Sequence, residues 1–407
     1  MSDRPAAPLP WLTVVLCAAG LFAVTLGVRQ SMSLFLGTLN TQTGLGIAAI
    51  SLAFAIGQLM WGITQPIAGA FADRYGSGRV MAIGLLAIAI GTASIPYAGS
   101  LPMLIIAIGV LGAGGAGALG PSMLMGAVSR RVDPARRSMA NGIVSAGGSF
   151  GQFSVVPLTQ VMIGSLGWAS ALWGLALVSL LALPMVLALR SPSTTPWPVA
   201  ASSSTLGGAV QGALLDRNYL LLTAGFFVCG FHVAFIATHL PGVVASCGLP
   251  PEVGAWSLAI IGLFNMAGSF WIGWAMNRWR MKSLLSLIYA ARAAAIFAFM
   301  LAPKTELTFL LFAAVIGFTY LSTVPATAGL VAKLHGARYM ATLFGLTMLS
   351  HQVGGFLGAW LGGKAFEATG SYDWMWWVDM ALGIAAALVH LPIREARPIR
   401  PVAAAAA

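Results

Sequence analysis

The chain has 407 residues, of which 58% are hydrophobic and only 8% charged; a soluble domain carries about a quarter charged residues, so a soluble enzyme is excluded. The formal net charge of +11 is spread too thinly for a nucleic-acid-binding protein. The 49 Gly and 21 Pro, in so apolar a chain, fit membrane helices packed through small residues better than a collagen-like or low-complexity sequence.

A bilayer-spanning helix needs about 20 mostly apolar residues. In chain order, such runs are predicted at 11–36, 47–71, 80–98, 102–128, 138–163 and 168–189, then at 218–244, 253–276, 282–302, 307–332, 339–363 and 374–393. The alternating ten-residue segments of a membrane barrel are absent. The first run exceeds a signal-peptide core, lacks a small-x-small cleavage site and contains Arg29, so it reads as a retained helix. Segment 191–217, rich in Ser, Thr, Pro and Gly, reads as a linker between bundles at 1–190 and 218–394, with a tail at 395–407 whose final alanines read as disordered.

The basic residues orient the chain. Of the 21 Lys and Arg, Arg29 and Arg292 fall within spans, Lys304 and Lys364 on one side, and the remaining 17 on the other. Positive charge accumulates on the cytoplasmic side, so both termini are expected there, in a bacterial-type inner membrane. Cys17, Cys229 and Cys247 lie in or beside apolar runs without CxxC spacing, which supports neither a disulfide framework nor a metal cluster. The Gly-rich run at 112–120 sits inside the fourth span and lacks a phosphate-loop lysine, so it reads as close helix packing. No catalytic constellation and no cofactor motif is legible.

The halves repeat. Gly69 to Gly76, with Asp73-Arg74 at its centre, aligns with Gly273 to Arg280, with Asn277-Arg278; Asp73 and Asn277 are 204 positions apart, as are Pro121 and Pro325. The G-x-x-x-D-R-x-G segment resembles the signature loop of the major facilitator superfamily, and the second copy resembles its C-terminal echo. The resemblance implies an all-α integral membrane fold, twelve transmembrane helices in two pseudo-symmetric six-helix bundles, with a substrate cavity between the repeats near the midplane. It further implies alternating access, with Gly69, Asp73, Arg74 and Gly76 as a cytoplasmic gate whose acid can pair with Arg130, Arg131, Arg136 or Arg137, with a purely topology-setting role of these charges as the alternative. Asn277 in place of an acid cannot form the same charged lock.

A charge in the bilayer centre costs about 2.5–3.5 kcal/mol on insertion scales and is a functional candidate by default. Arg29 in span 1 corresponds to His232 in span 7 at an offset of 203, and both spans line the cavity in the resembled family. An always-charged, forked guanidinium suits a carboxylate; snorkelling is the alternative for Arg29. Asn265, Tyr320, His351 and Gln352 sit mid-span on helices that line the pathway in the resembled family and join Arg29 and His232 as expected substrate contacts, with helix–helix hydrogen bonding as the alternative for each. His239 reads as an entrance residue, His335 and His390 as peripheral, and Asp379 as interfacial. Arg292 falls in a span outside the cavity, where either a role in function or a carbonyl-bonded structural role is open. With no Asp or Glu expected deep in a span, a coupled proton would ride on His232 or His351.

The expected function is secondary active or facilitative transport of a small solute by a monomer. Phe231 to Pro241 and Gly345 to Gly355 resemble the bacterial monocarboxylate and oxalate–formate branch, which implies an organic anion such as a monocarboxylate. Efflux of amphipathic drugs is the alternative within transport. A non-transporting receptor is the alternative outside it, although the linker and tail are too short for a signalling domain.

Overall fold

The computed structural model describes residues 10–133, 136–190, 206–336 and 339–395; the alanine tail lies outside them. All regular structure among them is helical. The first half comprises α1 (Trp11–Thr43), α2 (Ile47–Tyr75), α3 (Ser77–Tyr97), α4 (Leu101–Ser129), α5 (Arg137–Leu166) and α6 (Trp168–Leu187). The second comprises α7 (Arg217–Ser246), α8 (Pro251–Ala275), α9 (Met281–Leu301), α10 (Glu306–His335), α11 (Met340–Thr369) and α12 (Asp373–His390). Among the described residues, 9 helices are long and apolar enough to cross a membrane. The other expected spans are also helical: α5, α11 and α12 have 30, 30 and 18 residues and carry polar side chains such as Gln152, His351, Gln352 and Asp379.

Local chemistry sets the helix ends. Asp216 caps α7 by accepting from the Asn218 amide at 2.9 Å, and Thr305 caps α10 through the Thr308 amide. Gly76, at φ +89°, lets the chain leave α2 and enter α3 without an intervening loop. One segment departs from expectation. Residues 206–215, read from sequence as linker, form a helix whose Ala213 is buried with Tyr219 and Leu222. Its Leu, Ala and Val content gives it an apolar face to bury.

The chain divides into two compact units, one of Met1–Leu45 with Ile56–Pro198 and the other of Gly46–Ala55 with Val199–Ala407. In the first, α1 packs along α5, and α3 along α6. Gly147 and Gly151 of α5 lie on the backbone of Ala19 and Ala23, where a β-carbon would overlap the carbonyl oxygens. In the second, α7 packs along α11 and α9 along α12. There Gly354 and Gly358 lie on the carbonyls of Phe227 and Phe231 in the same manner. The second unit also takes in the start of α2: Ala55 is buried with Ala234 and Ala359, and Ser51 lies against Gly363. Lipid tails are as apolar as leucine, so close backbone approach through small residues and interhelical hydrogen bonds hold such helices together. Large apolar side chains on the outside, such as Ile83, Leu181, Phe270 and Leu301, are more than half exposed, as acyl chains require.

Two spans are broken at equivalent places. In α4 the helix widens to π geometry over Ile105–Ala113 and breaks at Leu119 and Gly120, before Pro121. In α10 it breaks at Tyr320 to Ser322, ahead of Pro325. Proline lacks an amide donor and crowds the preceding turn.

Gly358→Ala should destabilise the protein by about 1–3 kcal/mol through overpacking against Phe231, read as a fall in the unfolding midpoint in detergent. Gly345→Ala, in the same helix with open space at its β-carbon, should leave it unchanged or raise it slightly.

Candidate functional site

In the first unit, the Arg29 side chain reaches α2. Half-buried near the end of the first helical stretch of α1, it donates to Oε1 of Gln58 on α2 at 2.5 Å, and its guanidinium lies 5.0 Å from the ring centre of Trp61. The Gln58–Trp61 spacing puts amide and indole on one face of α2, one turn apart. Such a cradle orients a planar cation, which then presents a forked donor to an anion.

In the second unit, polar side chains gather at the break in α10. Arg292, in the middle of α9 and 2% exposed, donates to the carbonyls of Thr319 and of Tyr320, the latter at 2.5 Å, and its Nη1 is 3.5 Å from Sγ of Cys229. Oδ1 of Asn265 on α8 accepts from the Leu321 amide at 3.1 Å. The Tyr320 hydroxyl donates to the Val233 carbonyl at 3.0 Å, and Cys229 lies 3.0 Å from the Thr323 hydroxyl. A helix interrupted in hydrocarbon must have its freed backbone groups met by protein. Arg292 meets the acceptors and Asn265 a donor, so the carbonyl-bonded alternative describes the observed contacts of Arg292.

The other expected residues are placed differently. His232 is 1% exposed on α7, with Nε2 3.5 Å from Oδ1 of Asp379 on α12. Asp379, expected at the interface, is instead fully buried, because its side of α12 packs against α7 and α9 rather than lipid. A carboxylate therefore does lie within a span. His351 is buried against the ring of Phe226, 4.8 Å between centres, and Gln352 is buried beside it in sequence with its Nε2 lacking a hydrogen-bond partner among the described residues. His239, expected at an entrance, is buried and bonded through Nε2 to the Ala359 carbonyl at 2.7 Å, and His390, expected to be peripheral, is buried and stacked on Tyr289. Helix neighbours decided these burials, and a single span's sequence does not name them.

On the side of the short α2–α3 connection, Gly69 and Arg74 belong to the last turns of α2, Arg74 over the ring of Tyr75, and Gly76 makes the turn. The side chain of Asp73 lies outside the described residues. Arg131 donates to the Ala188 carbonyl at 2.6 Å, and Arg136 lies over Trp11. Sequence reasoning missed Glu395. This nearly buried residue accepts from the amides of Met281 and Lys282, at 3.2 and 2.9 Å, and pairs with Lys333 at 3.0 Å, which ties the segment after α12 to the start of α9 and to α10. No local pattern signals it, because the helix start that it caps lies 113 residues or more earlier in the chain.

Arg292→Met leaves buried carbonyls at the break without their donor. It should cost about 1–3 kcal/mol for each acceptor left unmet, seen as a lower unfolding midpoint, whereas Arg29→Met should lower it less because that side chain is only half-buried.

No group of three or more His, Cys, Asp or Glu able to hold a metal occurs among the described residues. The family model of the Major Facilitator Superfamily matches residues 15–359. Monocarboxylate transporter 13 of Rattus norvegicus is 27% identical over 376 residues, covering 89% of this chain and 83% of that protein. The oxalate:formate antiporter of Oxalobacter formigenes is 23% identical over 368 residues, covering 86% and 84%. A crystal structure of a D-xylose-proton symporter shares the fold, with a TM-score of 0.73 and 16% identity over 94% of this chain and 97% of that one. A chain of apolar helices in two alike halves, matched over most of its length, is thereby assigned: it is a multi-pass membrane protein, a transporter and not an enzyme, and it belongs to the Major Facilitator Superfamily.

Proposed function

We propose that this chain moves small organic anions, monocarboxylates first among them, by alternating access. The observation that carries this reading is Arg29: a guanidinium within a membrane span, oriented by Gln58 and Trp61. A cation within an apolar span is costly unless it serves a purpose, and its fork is matched to a carboxylate. The oxalate:formate antiporter and the monocarboxylate transporter among its relatives carry names of the same chemical class. In the first unit, Arg29 binds the anion and Gly69, Asp73, Arg74 and Gly76 act as the cytoplasmic gate. In the second, His351 and Gln352, buried polar side chains of α11, meet the solute when alternating access exposes them, while Asn265 and Tyr320 shape the broken α10 on which such contacts depend. The bias of 17 basic residues to one side supports cytoplasmic termini in an inner membrane, and the protein is taken to work as a monomer.

Uptake of labelled carboxylates into proteoliposomes tests the reading. Arg29→Ala should lower kcat/KM by about 10–100-fold, the loss of one charged hydrogen-bonding contact of roughly 1.4–3 kcal/mol, with the purified protein still folded; Arg29→Lys should recover part of the loss because it keeps the charge and not the fork. Unchanged carboxylate uptake by Arg29→Ala would sink the assignment.

Orientation has its own test. Cys247 follows α7 on the face opposite the proposed cytoplasmic side; burial raises its thiol above the ordinary value, with nearby Asp373 adding to this and Lys304 opposing it. Its thiolate therefore forms only as pH rises, so an impermeant maleimide should label intact cells at Cys247, faster at alkaline than at neutral pH, and Cys247→Ser should remove the signal. Labelling only after lysis would reverse the topology.

A further inference from the structure

The interior of the second unit holds a charge cluster separate from the Arg29 contacts in the first. His232 on α7 and Asp379 on α12 are buried, and their nearest atoms, Nε2 and Oδ1, are 3.5 Å apart. Neither carboxylate oxygen and neither ring nitrogen completes a hydrogen bond of ordinary geometry with a described residue. Arg292 of α9 is near enough for its charge to act on both side chains. Its hydrogens nevertheless go to the carbonyls of Thr319 and Tyr320 and towards Cys229. The other titratable groups of this interior are Tyr289 on α9, stacked with His390 of α12; Cys229, one turn before His232 on α7; Tyr320 at the break of α10; and His351 on α11. Gly383, one turn beyond Asp379, leaves room for the imidazole: a β-carbon there would lie 3.3 Å from Cε1 of His232.

A buried carboxylate that accepts no hydrogen bond is the least favourable state of that group, and one proton shared with the neighbouring imidazole removes its charge. We propose that His232 and Asp379 form a proton-binding site and that Arg292 transmits its occupancy to the break in α10. In the occupied state an O–H bond on Asp379 faces Nε2 of His232, and the positive charge of Arg292 is balanced by the carbonyl dipoles of Thr319 and Tyr320, so α10 is clasped. When the proton leaves to water, a carboxylate stands near the guanidinium and competes with those carbonyls, and the clasp loosens. Only one proton is bound or released, and no other species is consumed. The observed arrangement, with Arg292 on α10 and no donor on Asp379, is that of the occupied site. The inference holds whichever solute the protein carries.

Hydrogen exchange of peptides covering 317–325, measured in lipid nanodiscs at acid and alkaline pH and corrected for the intrinsic rate, tests the coupling. Wild-type exchange at the break should be about 5–100-fold slower at acid pH, the range of ordinary coupling between sites. Asp379→Asn, which mimics the protonated acid, should stay slow at both. An infrared carboxylic C=O band present in wild type at acid pH should be missing from Asp379→Asn. Should that variant fail to fold, Gly383→Ala, which crowds the imidazole, should move the pH midpoint of the wild-type response. Wild-type exchange at the break that ignores pH, a response that survives unchanged in Asp379→Asn, or a midpoint unmoved in Gly383→Ala would each overturn the proposal. None of these readouts uses a transported solute, so the coupling and the anion reading stand or fall separately.

Discussion

The clasp at the break of α10 is the contact on which the second unit most depends. A continuous helix satisfies its own amides and carbonyls, which is why helices cross membranes at all. Once Pro325 and the turn at Tyr320 to Ser322 interrupt the ladder, carbonyls and an amide are left in an apolar interior. Arg292 supplies donors from α9 and Asn265 an acceptor from α8. Three helices are thereby tied at one level by hydrogen bonds instead of by apolar burial, which favours no particular neighbour inside lipid. The charge required to hold the break also sets the electrostatics around it, since His232, Asp379 and Cys229 all lie within the reach of Arg292.

Two arginines within spans thus have different surroundings. Arg29 is half-buried and held by an amide and an indole of α2. Arg292 is buried and bonded to backbone. What the neighbouring helix offers differs, a side-chain cradle in one case and a broken backbone in the other.

Around these polar points the scaffold is built by close approach. Glycines of α5 lie on carbonyls of α1, and glycines of α11 lie on carbonyls of α7; Gly151 on Ala23 and Gly354 on Phe227 occupy matching positions of the two halves. The repeat read from the loops thus recurs as a repeat of packing. Glu395 secures the start of α9 from the far end of the chain, a contact with no counterpart in the motif pattern.

The amino-acid sequence by itself determined the membrane class, the helix positions, the repeat and the family resemblance. These follow from composition, run length and short motifs, which act locally and leave a periodic trace. It also singled out Arg29, His232 and Arg292, because a polar group in an apolar run is conspicuous wherever it points. Only the tertiary structure decided what each one meets. Asp379, at the sequence level an interfacial acid, is buried opposite His232; His390 and His239 are interior; and residues 206–215 are helix where composition suggested linker. The reason is physical: one face of a membrane helix meets lipid and another meets protein, and in a run apolar on all sides no periodicity marks which is which. The partner of a polar side chain is then fixed by helices distant in sequence, through packing that the local pattern does not encode.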